Sequence, residues 1–128
     1  ELSEVVRIQE VAFDRTFAAD ITLAWEQDLG IPRLEFPQTT QMYAGPIEDY
    51  ERLVIQGNLR HPNNPGLNWQ AGHCECFTDS KGRKTLVKPK HNEVKKIDGM
   101  AAGVMGLSRA LAGVPRGSFY DNHPMEIA

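Results

Sequence analysis

Two acidic residues stand where a folded chain can use them. Asp14 follows the apolar run Val11-Ala12-Phe13, which places it at the carboxyl end of a short strand. Open α/β sheets gather ligands and catalytic groups at that end. The plainer role for such a residue is a turn or a helix N-cap. Asp98 opens the last helical stretch, among Gly99, Ala101, Ala102, Gly103 and Gly106, whose small side chains let a helix lie close to a sheet. Its plainer role is partner to a helix macrodipole. If the two carboxylates converge, they make a hard, oxygen-rich site of the kind Mg²⁺ or Mn²⁺ prefers, and ions so held activate water and stabilise an in-line phosphoryl displacement. Two acids fall short of a two-metal site, so a third carboxylate or a substrate phosphate must complete it.

A basic run, Lys81, Arg83, Lys84, Lys88, Lys90, His91, Lys95 and Lys96, leads into Asp98. It reads either as a solvated face or as a phosphate-backbone contact beside the acids. His61, His73, Cys74, Cys76 and His91 are zinc-type donors, but His73-Cys74-Glu75-Cys76 lacks CxxC spacing. On a strand His73 would face away from both cysteines, so structural thiols are expected, with no disulfide between Cys74 and Cys76. Trp25 and Trp69 read as core or sheet-covering residues. The chain has no GxxxxGK[ST], GxGxxG or Gly-x-Ser-x-Gly motif, which excludes nucleotide binding and acyl transfer by those devices.

The elements that must position these groups follow from periodicity. With 128 residues, 41% hydrophobic and 24% charged, the chain suits one domain with a buried core. Fourteen Lys and Arg against seventeen Asp and Glu give a formal charge of −3, so any DNA contact must be local. No apolar run approaches the roughly 20 residues of a membrane helix, and Glu1-Leu2-Ser3-Glu4 is no signal peptide; a cytoplasmic protein without membrane contact is expected. The opening without Met suggests a piece of something longer.

Leu2, Val5 and Val6 have helical spacing and lead to a strand ending at Phe13. Phe17, Ile21, Ala24, Trp25 and Leu29 predict an inward-facing helical stripe, capped by Thr16 and stopped by Gly30. Arg33 to Phe36 reads as a second strand. A second helix starts at Pro46 and runs to Gly57, Asn58 to Leu67 is a loop, and Trp69–Phe77 pairs with Thr85–Val87 around the turn Asp79-Ser80-Lys81-Gly82. After an irregular basic connection comes a last helix, Ile97 to Ala112, with Ile97, Ala101, Val104, Met105 and Leu111 facing inward. Residues 1–112 form the domain and 113–128 a tail. The order βαβα, hairpin, α predicts a mixed α/β fold whose first two strands are parallel through a crossover helix.

The order of motifs resembles the C-terminal nuclease domain of tailed-phage and prophage terminase large subunits. The matching stretches are Val11-Ala12-Phe13-Asp14-Arg15, Tyr43-Ala44-Gly45-Pro46, Leu59-Arg60-His61-Pro62-Asn63-Asn64-Pro65, Trp69, Lys90 and Lys96-Ile97-Asp98-Gly99-Met100-Ala101. The resemblance implies a partial ribonuclease H-like fold, a mixed sheet flanked by helices with an added β-hairpin. It further implies an Mg²⁺- or Mn²⁺-dependent endonuclease that cuts concatemeric double-stranded DNA during genome packaging. Asp14 and Asp98 would be metal ligands and catalytic residues, and Lys90 a charge-stabilising or scaffold lysine. The portal and the small terminase subunit would be partners.

The family's first catalytic Asp, with its strand, the neighbouring hairpin and the ATPase domain, lies upstream of anything present in this sequence. The expectation is therefore a fragment, weakly active alone, that holds two of three metal-binding acids and self-associates through an unpaired sheet edge. His73 stands where relatives often carry Asn. The competing readings are a non-catalytic protein-binding module and an inactive prophage remnant. Carboxylates of Asp14 and Asp98 within reach of one ion favour the nuclease, and acids on separate faces favour the module.

Overall fold

The computed structural model describes residues 5–91 and 94–113. The expected tail therefore lies outside the described residues from position 114 onward, as do Leu2 and the first residues. The element order is β1 (Val11–Phe13), α1 (Arg15–Leu29), β2 (Arg33–Glu35), α2 (Thr40–Ile55), α3 (Pro65–His73), β3 (Glu75–Thr78), β4 (Lys84–Val87) and α4 (Asp98–Ala112). β1 and β2 pair in parallel, with Phe13 opposite Glu35, and α1 is their crossover. β3 and β4 form a separate antiparallel hairpin with Glu75 opposite Val87.

Local chemistry sets the boundaries. Asp14, rather than Thr16, caps α1: its Oδ1 accepts from the Thr16 amide at 2.7 Å, and the helix begins one residue earlier than predicted. Gly30 ends it in the left-handed region (φ 65°), where its amide donates to Glu26. α2 begins at Thr40, capped by Thr39, so Pro46 lies inside the helix instead of in its first turn. Proline there withholds one amide from the helical ladder.

The largest correction concerns residues 65–73, which form α3 where the end of a loop, to Leu67, and an extended strand from Trp69 were expected. Asn64 Oδ1 accepts from the Leu67 amide at 3.1 Å and Pro65 occupies the first helical position, a start signal that the strand reading of Trp69 onward overlooked. The hairpin's first strand is thus only Glu75–Thr78. Its turn is as expected, with Asp79 Oδ1 accepting from the Lys81 and Arg83 amides, each at 2.9 Å, and Gly82 at φ 77°.

Phe36, Tyr43, Ile47, Val104 and Met105 make the core, so α2 and α4 pack on each other and on β4, with Ala12, Tyr50 and Leu86 at its margin. Phe36 and Tyr43 meet edge to face, centroids 5.5 Å apart. Burial of Ile47 and Val104 contributes about 1.5–3 kcal/mol each. Leu111, expected inside, is half exposed. The stripe on α1 also faces outward: Phe17 is 93% exposed, and Ile21, Trp25 and Leu29 are exposed as well. What α1 turns inward is Thr22, only 2% exposed, whose hydroxyl donates back to the Ala18 carbonyl at 2.6 Å.

α3 fixes the start of α4. Ile97, at the N-cap of α4, offers no side-chain hydrogen bond. Gln70 supplies it from α3: its Oε1 accepts from the amides of Gly99 at 2.7 Å and Met100 at 3.3 Å. One turn on, His73 Nε2 donates to the Lys96 carbonyl at 2.7 Å. The approach leaves no room for a side chain at position 99, where a Cβ would stand 2.9 Å from Gln70 Oε1. The small residues of α4 therefore serve contact with helices, Gly99 with α3 and Gly103 with Tyr50 of α2, more than the expected approach to a sheet.

Gln70→Ala should leave these first-turn donors without their partner. At about 1 kcal/mol per bond, hydrogen exchange at the Gly99 and Met100 amides should quicken roughly fivefold, with the Thr22 amide unchanged. A second expectation concerns Glu10, whose carboxyl is held below its ordinary value of 4.5 chiefly by hydrogen bonds from Arg109, including Nη2 to Oε2 at 3.1 Å. A depressed carboxyl contributes stability that is present above its unfolded value and lost as pH falls through the folded one. The melting temperature of the native chain should therefore exceed that of Glu10→Gln at neutral pH, and the two should converge as pH falls below the ordinary value of 4.5 and through the depressed folded one.

Candidate active site

Asp14 stands just beyond the carboxyl end of β1, and Glu35 is the last residue of the neighbouring parallel strand β2. The register of the pair, with the Phe36 amide donating to the Phe13 carbonyl at 2.8 Å, brings both strand ends to the same level. Asp14, Glu35, Arg15, Thr16 and Gln38 line one open cavity of about 520 Å³. Sequence reasoning passed over Glu35. Its signal was available, since an acid closing a second parallel strand falls at the same sheet end as Asp14.

Asp98 lines a second cavity, of about 180 Å³, with Gln38, Tyr43, Thr85, Leu86 and Ala101 among its walls. Gln38 belongs to both cavities, so the two adjoin. Asp14 and Asp98 thus line separate cavities that share one residue of the β2–α2 connection. Burial first, and the negative charge of Asp14 second, push the Tyr43 phenol up to about 12. Among the described residues, no three His, Cys, Asp or Glu side chains are gathered closely enough to hold one ion. The cap to Thr16 occupies Oδ1 of Asp14 and leaves Oδ2 for another partner.

Lys90 is exposed in the connection from β4 to α4 and lines neither cavity. The basic run divides. Arg83 is bound to Asp79, Nε to Oδ2 at 2.8 Å, and Lys84 is bound to Glu51. Lys81, Lys88, Lys90, His91 and Lys96 are exposed. Lys81 lies in the hairpin turn, whereas Lys88, Lys90, His91 and Lys96 lie between β4, which carries Thr85, and α4, which carries Asp98; none of them lines the second cavity.

The zinc-type donors do not assemble. His73 ends α3 and is engaged with Lys96, while Cys74 and Cys76 are free thiols. Burial pushes both thiols up from their ordinary values, so they remain protonated at neutral pH. Trp69 packs edge to face on His73, centroids 4.3 Å apart, and is half exposed on α3 instead of covering a sheet.

No described helix is long and apolar enough to cross a membrane. The family model for the terminase large subunit, endonuclease domain, matches residues 2–114. The large terminase subunit of Enterobacteria phage HK97 is 30% identical over 82 residues, which are 64% of this chain and 16% of that protein. The crystal structure of the HK97 bacteriophage large terminase superposes with a TM-score of 0.66 at 27% identity, covering 81% of this chain and 22% of that one. The chain therefore spans about a fifth or less of the length of these relatives. With the parallel pair, the hairpin and the packed helices in place, the fold is that of the terminase nuclease domain, ribonuclease H-like. The chain belongs to the terminase large subunit endonuclease-domain family.

Proposed function

We propose that this domain hydrolyses phosphodiesters of double-stranded DNA with the help of divalent cations, the cutting step of genome packaging. The observation that carries this reading is that Asp14 and Asp98, 84 positions apart in the chain by number, line cavities that share Gln38. The donors that line the two cavities are hard oxygens: the carboxylates of Asp14, Glu35 and Asp98 and the Gln38 amide. Such a set suits Mg²⁺ or Mn²⁺ and disfavours softer ions.

When bound, the cations supply Lewis acidity and an activated water for in-line attack. Asp14 and Asp98 hold them, each fixed by backbone packing, Asp14 through the α1 cap and Asp98 through the α3 contacts at the start of α4. The exposed Lys88, Lys90 and Lys96 would contact the DNA backbone, Lys90 in the charge-stabilising or scaffold role that the family resemblance gives it. In a chain of net charge −3 this local basic segment confines DNA to one side. Portal and small terminase subunit are the partners this reading brings with it.

Mn²⁺-dependent nicking of supercoiled plasmid tests the assignment, with the domain alone and joined to the upstream segments of a homologous terminase large subunit. Asp14→Asn and Asp98→Asn should each lower nicking roughly 100-fold or more. Full activity in both variants would remove the assignment. Self-association is a separate expectation: among the described residues β1 pairs only with β2, and α1 exposes Phe17, Ile21 and Trp25 beside that pair. Light scattering should show mass rising with concentration, and a monomer at the highest concentrations reached would count against it.

A further inference from the structure

Three carboxylates line the two adjoining cavities, Asp14 and Glu35 in one and Asp98 in the other, and among the described residues Arg15 is the one cation that lines either. Its charge is unspent. Arg33, Arg52, Arg83 and Arg109 are each paired with a carboxylate, those of Glu26, Asp49, Asp79 and Glu10. Arg15 is exposed, shares its cavity with two acids, and forms an ion pair with neither. Its place in the helix also works against stability. α1 opens on Arg15 and closes on Asp28-Leu29, so a cation stands at the positive end of the macrodipole and an acid at the negative end, the reverse of the favourable order. Neither an ion pair nor the helix accounts for a guanidinium at this position.

We propose that Arg15 receives a backbone phosphate of the DNA strand brought to Asp14, an inference that rests on the nuclease reading above. The cavity it lines opens at the carboxyl end of the parallel pair, where open α/β sheets take their ligands, and its volume of about 520 Å³ admits a phosphodiester. Its two carboxylates alone would repel one. A guanidinium offsets that repulsion, and its planar fork of donors matches two phosphate oxygens at once. Arg15 follows Asp14 directly and occupies the first position of the helix that Asp14 caps, so its backbone moves with that acid. A phosphate held there is held in register with the carboxylate. The exposed lysines between β4 and α4 line neither cavity; they grip the duplex without fixing one phosphate at the acids.

The experiment is titration of a fluorescently labelled DNA duplex with the full chain in EDTA, read by anisotropy across a range of salt concentrations, beside thermal melting without DNA. Arg15→Gln should weaken binding about tenfold and flatten the slope of log affinity against log salt by about one, equally on two duplexes of unrelated sequence. Arg15→Lys should keep the slope and recover only part of the affinity, since the charge remains and the fork is lost. Neither variant should lower the melting temperature, because the macrodipole gains nothing from a cation at that end. Arg7→Gln removes the same charge from an exposed arginine that lines neither cavity, and its affinity should stay near native. Native affinity and slope in Arg15→Gln would overturn the proposal. So would an equal loss in Arg7→Gln, the mark of bulk charge, a melting temperature that falls in both Arg15 variants, or a native chain that binds neither duplex at the lowest salt. The nuclease reading falls by a different result, nicking that survives in both Asp14→Asn and Asp98→Asn.

Discussion

The structure depends on how the first turn of α4 is closed. A helix start needs acceptors for its free amides, and Ile97 cannot provide one. Gln70 reaches across from α3 to do so, and His73 holds the preceding carbonyl of Lys96. These bonds place Asp98, since a carboxylate at the first helical position moves with that turn. They also explain why α3 must be a helix: only there do residues 70 and 73 share a face. Behind the turn, Val104 and Met105 anchor the rest of α4 in the core against Ile47 and Tyr43, so Asp98 is fixed at both scales.

The parallel pair places the other acid by a different constraint. β1 and β2 are three residues each, too short to bury a large face, and their function in the fold is to end at one level. Asp14 then serves twice, as the cap of α1 and as a wall of the cavity. The structural role does not exclude the chemical one, because the cap uses one carboxylate oxygen and leaves the other.

Much of this was legible in the residues. Asp14 after Val11-Ala12-Phe13, Gly30 after Leu29 and the Asp79 to Gly82 turn are local signals, and each controls its own neighbourhood in the structure. The resemblance to terminase nucleases was carried by spacing across most of the chain, and residues 2–114 match that family. Residues 65–73 were misjudged because Trp69, Cys74, Cys76 and Phe77 have strand character, while the decisive signal, Asn64-Pro65, lies upstream. The outward stripe on α1 was misjudged for the opposite reason. Period 3.6 reveals that a face is apolar, and says nothing of which neighbour covers it. Glu35 was passed over although an acid closing a second parallel strand was there to be read; that it lines a cavity with Asp14 shows only once several elements are assembled.

The hairpin turn has a consequence for how the molecule comes together in time. Asp79 satisfies the Lys81 and Arg83 amides and the Arg83 guanidinium within five residues, so β3 and β4 can zip on a microsecond scale with little loop to close. The Gln70 bonds span 29 and 30 positions and the Glu10–Arg109 pair spans 99, each requiring the chain to search a wider volume first. Assembly should thus proceed outward from the hairpin, with the contact that seats the start of α4 among the late arrivals, so that a nascent chain carries a formed hairpin well before Asp98 is held in place.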